Sequence, residues 1–213
     1  MAADPAPALR YLALGDSYTI GESVPEAQRW PVHLVTALRS KGFALADPEL
    51  IASTGWTTDE LAAAINERAP APPYDLVSLL VGVNNQYRGR ALAEYGAQFQ
   101  TLLARAIELA CKQPERVLVL SIPDWGVTPF AAQSGREPQH IAREIDAFNA
   151  RQRAICAEFK VPFVDITDLT REAATNAKWL AADGLHPSGA DYQRWAQRVL
   201  PWATRSLEPT PCW

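Results

Sequence analysis

The chain has 213 residues, 48% of them hydrophobic, which is enough to bury one sizeable core, so we expect a single domain over residues 1–213. A formal net charge of −4 offers no basic face for a phosphate backbone and argues against a nucleic-acid partner. No apolar run is long enough to span a bilayer, and the opening MAADPAPALR lacks the pattern of an export signal. The default expectation is a cytoplasmic protein, although the sequence leaves open an export signal removed upstream of this start.

Apolar runs alternate with amphipathic stretches along the chain. The runs predict strands over residues 11–14, 49–52, 76–83, 117–122 and 163–166, the second being the weakest. Apolar spacings of three and four predict helices over residues 30–41, 57–68, 91–111, 141–159 and 192–200. This alternation predicts right-handed crossovers and an α/β class fold, a three-layer α/β/α sandwich with a parallel sheet. Residues 123–138 form the longest predicted loop.

In parallel sheets, ligand sites form beyond the carboxyl ends of the strands, so the residues after each run are the ones to inspect. The first run is followed by Gly15-Asp16-Ser17-Tyr18. The glycine allows a sharp turn, and Ser17 would then begin a helix with free backbone N–H groups nearby. A serine there could attack a carbonyl, although for an isolated triplet a helix cap or turn residue is the more ordinary interpretation.

A nucleophilic serine needs a base, and the chain has only three histidines: His33, His140 and His186. The first two lie in predicted helices, where surface or packing roles are more usual. His186 belongs to the segment DGLHP (residues 183–187), whose glycine and proline rule out a regular helix. Asp183 could accept the Nδ1–H of the ring and leave Nε2 free for a serine. Taken alone, the segment could equally be an ordinary turn with a solvated histidine.

Two further residues could stabilise an oxyanion. Gly55 follows the second strand and can bring its backbone N–H close to a ligand, and Asn84 ends the third predicted run and could direct its amide into the same crevice. Each alone is more often a simple turn residue. Four suitable elements all fall where the strand ends should converge, and such a placement of all four by chance is much rarer than that of any one.

With these residues in place, the chain resembles the SGNH hydrolases, also called GDSL lipases and esterases. The four markers of that family, in order, correspond here to Ser17, Gly55, Asn84 and His186, with Asp183 completing the last block. The resemblance implies a flavodoxin-like five-stranded parallel sheet and hydrolysis through an acyl-enzyme. It also implies an oxyanion hole made from the backbone N–H groups of Ser17 and Gly55 and the Asn84 side chain. The blocks read GDSY and GVNN where many members have GDSL and GxND, which affects the subfamily and not the reaction.

The expected function is that of a serine esterase acting on small, short-chain carboxylic esters, without a metal or organic cofactor. Carbohydrate O-deacetylation and acyl-thioester hydrolysis are alternatives with the same chemistry, and a catalytically silent binding module is an alternative of another class. Oligomeric state cannot be read from the sequence, and Cys111, Cys156 and Cys212 are expected to be free thiols. Residues near the site blocks that could line a substrate pocket are Asp16, Trp56, Asn85, Gln86, Tyr87, Arg88, Trp125 and Trp179.

Overall fold

The computed structural model describes residues 8–208, so the first seven residues and Cys212 lie outside the described residues. Five parallel strands form one sheet in the order β2-β1-β3-β4-β5. They are β1 (Tyr11–Gly15), β2 (Glu49–Ala52), β3 (Leu76–Leu80), β4 (Val117–Leu120) and β5 (Phe163–Val164). The three central strands β1, β3 and β4 are buried along their whole length, which explains why they read as continuous apolar runs and not as alternating ones.

Helices cover both faces of the sheet. The nine α-helices of the described residues are α1 (Ser17–Ile20), α2 (Trp30–Ser40), α3 (Thr58–Arg68), α4 (Val83–Tyr87), α5 (Leu92–Leu109), α6 (Pro129–Gln133), α7 (Pro138–Phe159), α8 (Thr167–Arg171) and α9 (Gly189–Leu207). Helices α2 and α9 pack together, while α5 packs against both α3 and α7. The predicted three-layer α/β/α sandwich with a five-stranded parallel sheet is therefore confirmed.

Several predicted boundaries were wrong: β4 and β5 each end two residues earlier than expected, and α7 begins three residues earlier. The third apolar run was expected to remain extended to residue 83, but β3 ends at Leu80 and Val83 already begins α4, so Asn84 lies on a short helix. The predicted loop 123–138 contains a 3-10 helix and α6, which Thr128 caps through its side chain. The last helix continues through Pro201 to Leu207 because its buried apolar face outweighs the cost of about 3 kcal/mol for an internal proline.

The strand order places a switch point between β1 and β3, whose chain connections leave in opposite directions across the sheet. In open α/β sheets a crevice forms at such a point, beyond the carboxyl ends of the strands. Ser17 follows β1 and Asn84 follows β3, so both residues flank this crevice. Among the described residues, no helix has both the length and the hydrophobicity needed to cross a bilayer.

Candidate active site

A tight turn at the end of β1 presents Ser17. Asp16 is the N-cap of α1, and its Oδ1 accepts the backbone N–H of Tyr18 at 3.0 Å. A side chain at Gly15 could not fit, because its Cβ would lie 2.1 Å from Thr19 Oγ1 and 2.4 Å from the Leu80 carbonyl oxygen. The glycine thus allows the strand to pass directly into the helix, and Ser17 becomes the first helical residue.

The segment from Asp183 to Pro187 is a shaped loop, as its glycine and proline predicted. The backbone N–H of Ala181 donates to the His186 carbonyl at 2.8 Å, and the N–H of Ser188 donates to the Trp179 carbonyl at 2.8 Å. These bonds tie both ends of the loop to the preceding turn. Ser188 then caps α9, its side chain accepting the backbone N–H of Asp191. The loop therefore holds the His186 ring in a fixed place.

The structure brings Ser17, His186 and Asp183 into one hydrogen-bonded chain. The Nε2 atom of His186 lies 2.9 Å from Ser17 Oγ, and its Nδ1 lies 2.6 Å from Asp183 Oδ2. Ser17 and His186 are both buried, with 4% and 6% of their surface exposed, so neither hydrogen bond competes freely with water. The Tyr18 ring packs on the other side of the imidazole, with its centroid 4.9 Å away.

Asp183 is held in its ionised form by the loop itself. Burial opposes ionisation, but hydrogen bonds from Ser23, the His186 ring and the backbone N–H groups of Leu185 and His186 outweigh it and lower the pKa of Asp183 to about 2. The Ser23 hydroxyl donates at 2.6 Å to the same oxygen that faces the imidazole. Sequence reasoning missed Ser23, since an exposed serine in a turn 160 positions away carries no recognisable signal.

Gly55 lies in the turn after β2. The N–H of Trp56 donates to the Ser53 carbonyl at 3.3 Å, and Gly55 has φ +82°, the value required at the third position of a type II turn. Its carbonyl accepts from Arg88 Nη2 at 2.7 Å, which fixes the orientation of this peptide. Within the described residues, no intramolecular acceptor occupies the backbone N–H of Gly55 or of Ser17. Both groups are thus free to donate to a ligand.

Asn84 presents its side-chain amide from the first turn of α4. One contact of Nδ2 is a hydrogen bond to the Trp56 carbonyl at 3.0 Å, and the other is a long contact of 3.5 Å to Asp16 Oδ2. A hydrogen bond of 3.5 Å is weak. The N–H that makes this contact can therefore donate to a better-placed acceptor on a ligand. Ser17, Gly55 and Asn84 all line the same cavity.

This cavity has a volume of about 150 Å³ and a wall that is mostly apolar. Beside Ser17, Gly55, Asn84 and His186, it is lined by Tyr18, Thr54, Val83, Tyr87, Trp125, Phe130 and Leu185. Of the candidate pocket residues, Tyr87 and Trp125 therefore face it. Tyr18, Thr54, Val83, Phe130 and Leu185 were not identified from the sequence, because they come from five segments that meet only in the folded chain.

The other candidates lie outside the lining of this cavity. Arg88 binds the Gly55 carbonyl and forms an ion pair with Glu60, so its charge is already matched and does not face a substrate anion. Asn85 is fully buried and bonds Thr58 through both ends of its amide. Trp56 packs against the core beside the cavity.

Three more candidates do not line this cavity: Trp179, Gln86 and Asp16. The Trp179 ring is sandwiched between Lys178 and Arg194, at 4.3 and 4.1 Å from its centroid. Gln86 lies behind Trp125 and accepts its indole N–H at 2.7 Å. Asp16 lies fully buried beneath the site, and this burial raises its pKa to about 7 although the Tyr18 N–H partly stabilises the charge.

A five-stranded parallel sheet with a hydrogen-bonded serine, histidine and aspartate beyond the ends of its strands is an arrangement that serine hydrolases use. The family model described as the GDSL-like lipase/acylhydrolase family matches residues 13–194, and the chain belongs to this family. Membership supports an ester-hydrolysing enzyme. No curated protein sequence matches the chain significantly.

Solved structures show the same fold over nearly the whole chain. The crystal structure of TesA is 23% identical with a TM-score of 0.70, and the match covers 93% of this chain and 99% of that one. A lipase/acylhydrolase from Enterococcus faecalis is 20% identical with a TM-score of 0.69, covering 96% and 100%. Axe2, an acetylxylan esterase from Geobacillus stearothermophilus, is 21% identical with a TM-score of 0.69, covering 92% and 94%. At these identities the similarity establishes the fold.

Proposed function

We propose that the protein is a serine esterase in which Ser17 is the nucleophile, His186 the general base and Asp183 the residue that orients the imidazole. The supporting observation is the continuous chain of contacts from Ser17 Oγ to His186 Nε2 at 2.9 Å and from Nδ1 to Asp183 at 2.6 Å. In the acylation step His186 removes the hydroxyl proton as Oγ attacks the ester carbonyl. It then donates that proton to the leaving alcohol, and water repeats the sequence on the acyl-enzyme.

The charge that develops on the carbonyl oxygen would be stabilised by the free backbone N–H groups of Ser17 and Gly55 and by the Asn84 amide. Donors of this kind act strongly where water is excluded, and all three lie at the same cavity. Asp183 contributes by remaining ionised, because its low pKa keeps a negative charge beside the imidazolium that forms on proton transfer.

The cavity favours short acyl groups. A volume of about 150 Å³ holds a group roughly the size of benzene, about six non-hydrogen atoms. Its lining contains no aspartate, glutamate, lysine or arginine, so an uncharged apolar acyl group fits it better than an anionic one. We therefore assign short-chain carboxylic esters as the substrate class.

Acetylated carbohydrates and acyl thioesters remain the alternative substrates of this chemistry. Axe2 is an acetylxylan esterase, which supports the acetyl-sugar alternative, since an acetyl group also fits the cavity. A rate panel with acetyl esters of a simple phenol, of a thiol and of a xylo-oligosaccharide separates the three. A ratio of kcat/KM above about tenfold in favour of the sugar or thiol ester would replace our assignment.

The central test is Ser17→Ala assayed on p-nitrophenyl acetate. We expect kcat/KM to fall by at least about 10⁴-fold, because removing a nucleophile leaves only the binding and oxyanion contributions. Ser40→Ala, an exposed serine at the end of α2, is the matched control and should retain the wild-type rate. Retention of most of the activity in a folded Ser17→Ala protein would refute the assignment.

A fluorophosphonate probe distinguishes the esterase from a catalytically silent binding module. The wild type should become labelled on Ser17 alone, as read by mass spectrometry of its peptides, and Ser17→Ala should not be labelled. A wild-type protein that resists labelling and hydrolyses no ester would favour the binding module.

A further inference from the structure

The Trp125 indole forms a rigid part of the cavity wall. Only 2% of its surface is exposed, and its ring packs edge-on against Tyr87 with centroids 5.2 Å apart and against Phe130 at 6.0 Å. These three rings come from two helices and a 3-10 turn that the fold brings together. Part of the cavity lining is therefore an aromatic surface whose position depends on how the indole is held.

A chain of polar groups behind the cavity holds this indole. The Trp125 N–H donates to Gln86 Oε1 at 2.7 Å, and Gln86 Nε2 donates to Glu144 Oε2. Arg136 pairs with the same carboxylate and its guanidinium also lies over the indole, 5.5 Å from the ring centroid. We call Gln86, Glu144 and Arg136 the indole clamp. None of the three lines the cavity.

The clamp spans separate segments of the chain. Gln86 is on α4, two residues after Asn84, Arg136 lies between α6 and α7, and Glu144 is on α7. Gln86 is 98% buried, and both ends of its amide are used, so neither can change partners without leaving a buried polar group unpaired. Such a network resists displacement of the ring more firmly than packing alone.

We propose that the indole clamp sets the acyl-chain limit of the enzyme by fixing Trp125 as the end of the acyl pocket. This inference rests on the proposed esterase function and adds the residues that determine its specificity. We assign the acyl group to the side of Trp125, which is 2% exposed, because the acyl group stays attached to Ser17 during turnover, whereas the alcohol must leave before water enters. The clamp residues are positioning residues, since they act through Trp125 and touch no substrate.

The first test is a chain-length series of p-nitrophenyl acetate, butyrate, hexanoate and octanoate with Trp125→Ala. Because one extra methylene against a fixed wall changes kcat/KM by roughly tenfold or more, we expect the hexanoate-to-acetate ratio to rise at least about tenfold. A matching series with fixed acetyl and lengthening alcohols should keep its wild-type profile. A shift in the alcohol series in place of the acyl series would overturn the assignment of this wall to the acyl group.

The second test moves the indole without touching the cavity. Gln86→Met keeps the length of the side chain but removes the acceptor of the indole N–H, and we expect the hexanoate-to-acetate ratio to rise roughly threefold to tenfold. The ratio is measured on one preparation, so partial unfolding cancels out of it. Gln152→Met is the matched control: Gln152 is also a fully buried glutamine, but it donates to the Val81 carbonyl and contacts no clamp residue, so its ratio should be that of the wild type.

A rescue experiment separates positioning from general destabilisation. Gln86→Glu combined with Glu144→Gln retains an acceptor for the indole and an amide–carboxylate pair behind it, and the double variant should regain the wild-type ratio. An unchanged hexanoate-to-acetate ratio in Gln86→Met, or the same rise in Gln152→Met, would contradict the proposed role of the indole clamp. Neither result would contradict the proposed esterase function. Failure of the wild type to hydrolyse any ester of the series would overturn both proposals together.

Discussion

The proposed catalytic groups and the wall of the cavity are built in different ways. Ser17 and the Asp183–His186 loop are each positioned by short stretches of backbone: a glycine turn and N-cap for the serine, and a two-residue turn with its own carboxylate for the histidine. The wall at Trp125 depends instead on side chains from distant segments. The proposed catalytic residues can therefore be predicted from local sequence, whereas the proposed acyl-chain limit depends on tertiary packing.

Apart from loss of the Ser17 nucleophile, Asp183→Asn should have the largest effect on the locally built region. An asparagine amide can donate to Nδ1 and stabilise the wrong imidazole tautomer, so we expect kcat to fall by about 10³- to 10⁴-fold. The measurement is the pH profile of kcat on p-nitrophenyl acetate, in which the loss should be largest near neutral pH. Asp168→Asn, which removes a surface aspartate paired with Arg198, is the control and should act like the wild type. A loss below about tenfold would mean that the loop backbone orients His186 without the carboxylate.

The same contrast explains how much the sequence could predict. Buried strands of a parallel sheet appear as apolar runs, Gly15 marks the turn after the first run, and Gly184 and Pro187 mark a non-helical loop around His186, so the fold and the approach of Ser17 to His186 could be predicted. Asn84 was expected at a strand end but lies on a short helix, because an apolar run does not distinguish a buried strand from a buried helical turn. The contacts of Ser23 and Phe130 depend on the path of the whole chain and leave no local pattern.

Asn84 lies where the two regions meet, since it lines the cavity and also carries a proposed oxyanion donor. We expect Asn84→Ala to lower kcat by about 10²- to 10³-fold with little change in KM, because the donor would act mainly in the transition state. Its hydrogen bond to the Trp56 carbonyl is also lost, so the melting temperature should be recorded alongside the kinetics. Asn176→Ala, which removes a side-chain cap on the Lys178 N–H at a residue that does not line the cavity, serves as the control. An effect confined to KM would instead indicate a role in ground-state binding.

The carboxyl groups of Asp16 and Asp183 belong to the same region, yet their pKa values are shifted in opposite directions. The pKa of Asp183 is lowered to about 2, so its contribution to stability is present above pH 4 and is lost as the pH falls towards 2. The pKa of Asp16 is raised to about 7, so between pH 4 and 7 the unfolded chain releases a proton that the folded chain retains. Raising the pH across that window therefore costs stability at Asp16.

Asp16→Asn should remove this cost while keeping the cap, since an asparagine oxygen can still accept the Tyr18 N–H. We expect the free energy of unfolding of the variant, relative to the wild type, to increase from pH 5 to pH 8, as measured by urea denaturation at both values. Asp183→Asn should lose stability at both values because both lie above the window in which Asp183 titrates. A variant at Asp16 whose relative stability does not change between these two pH values would contradict the raised pKa of this carboxyl group.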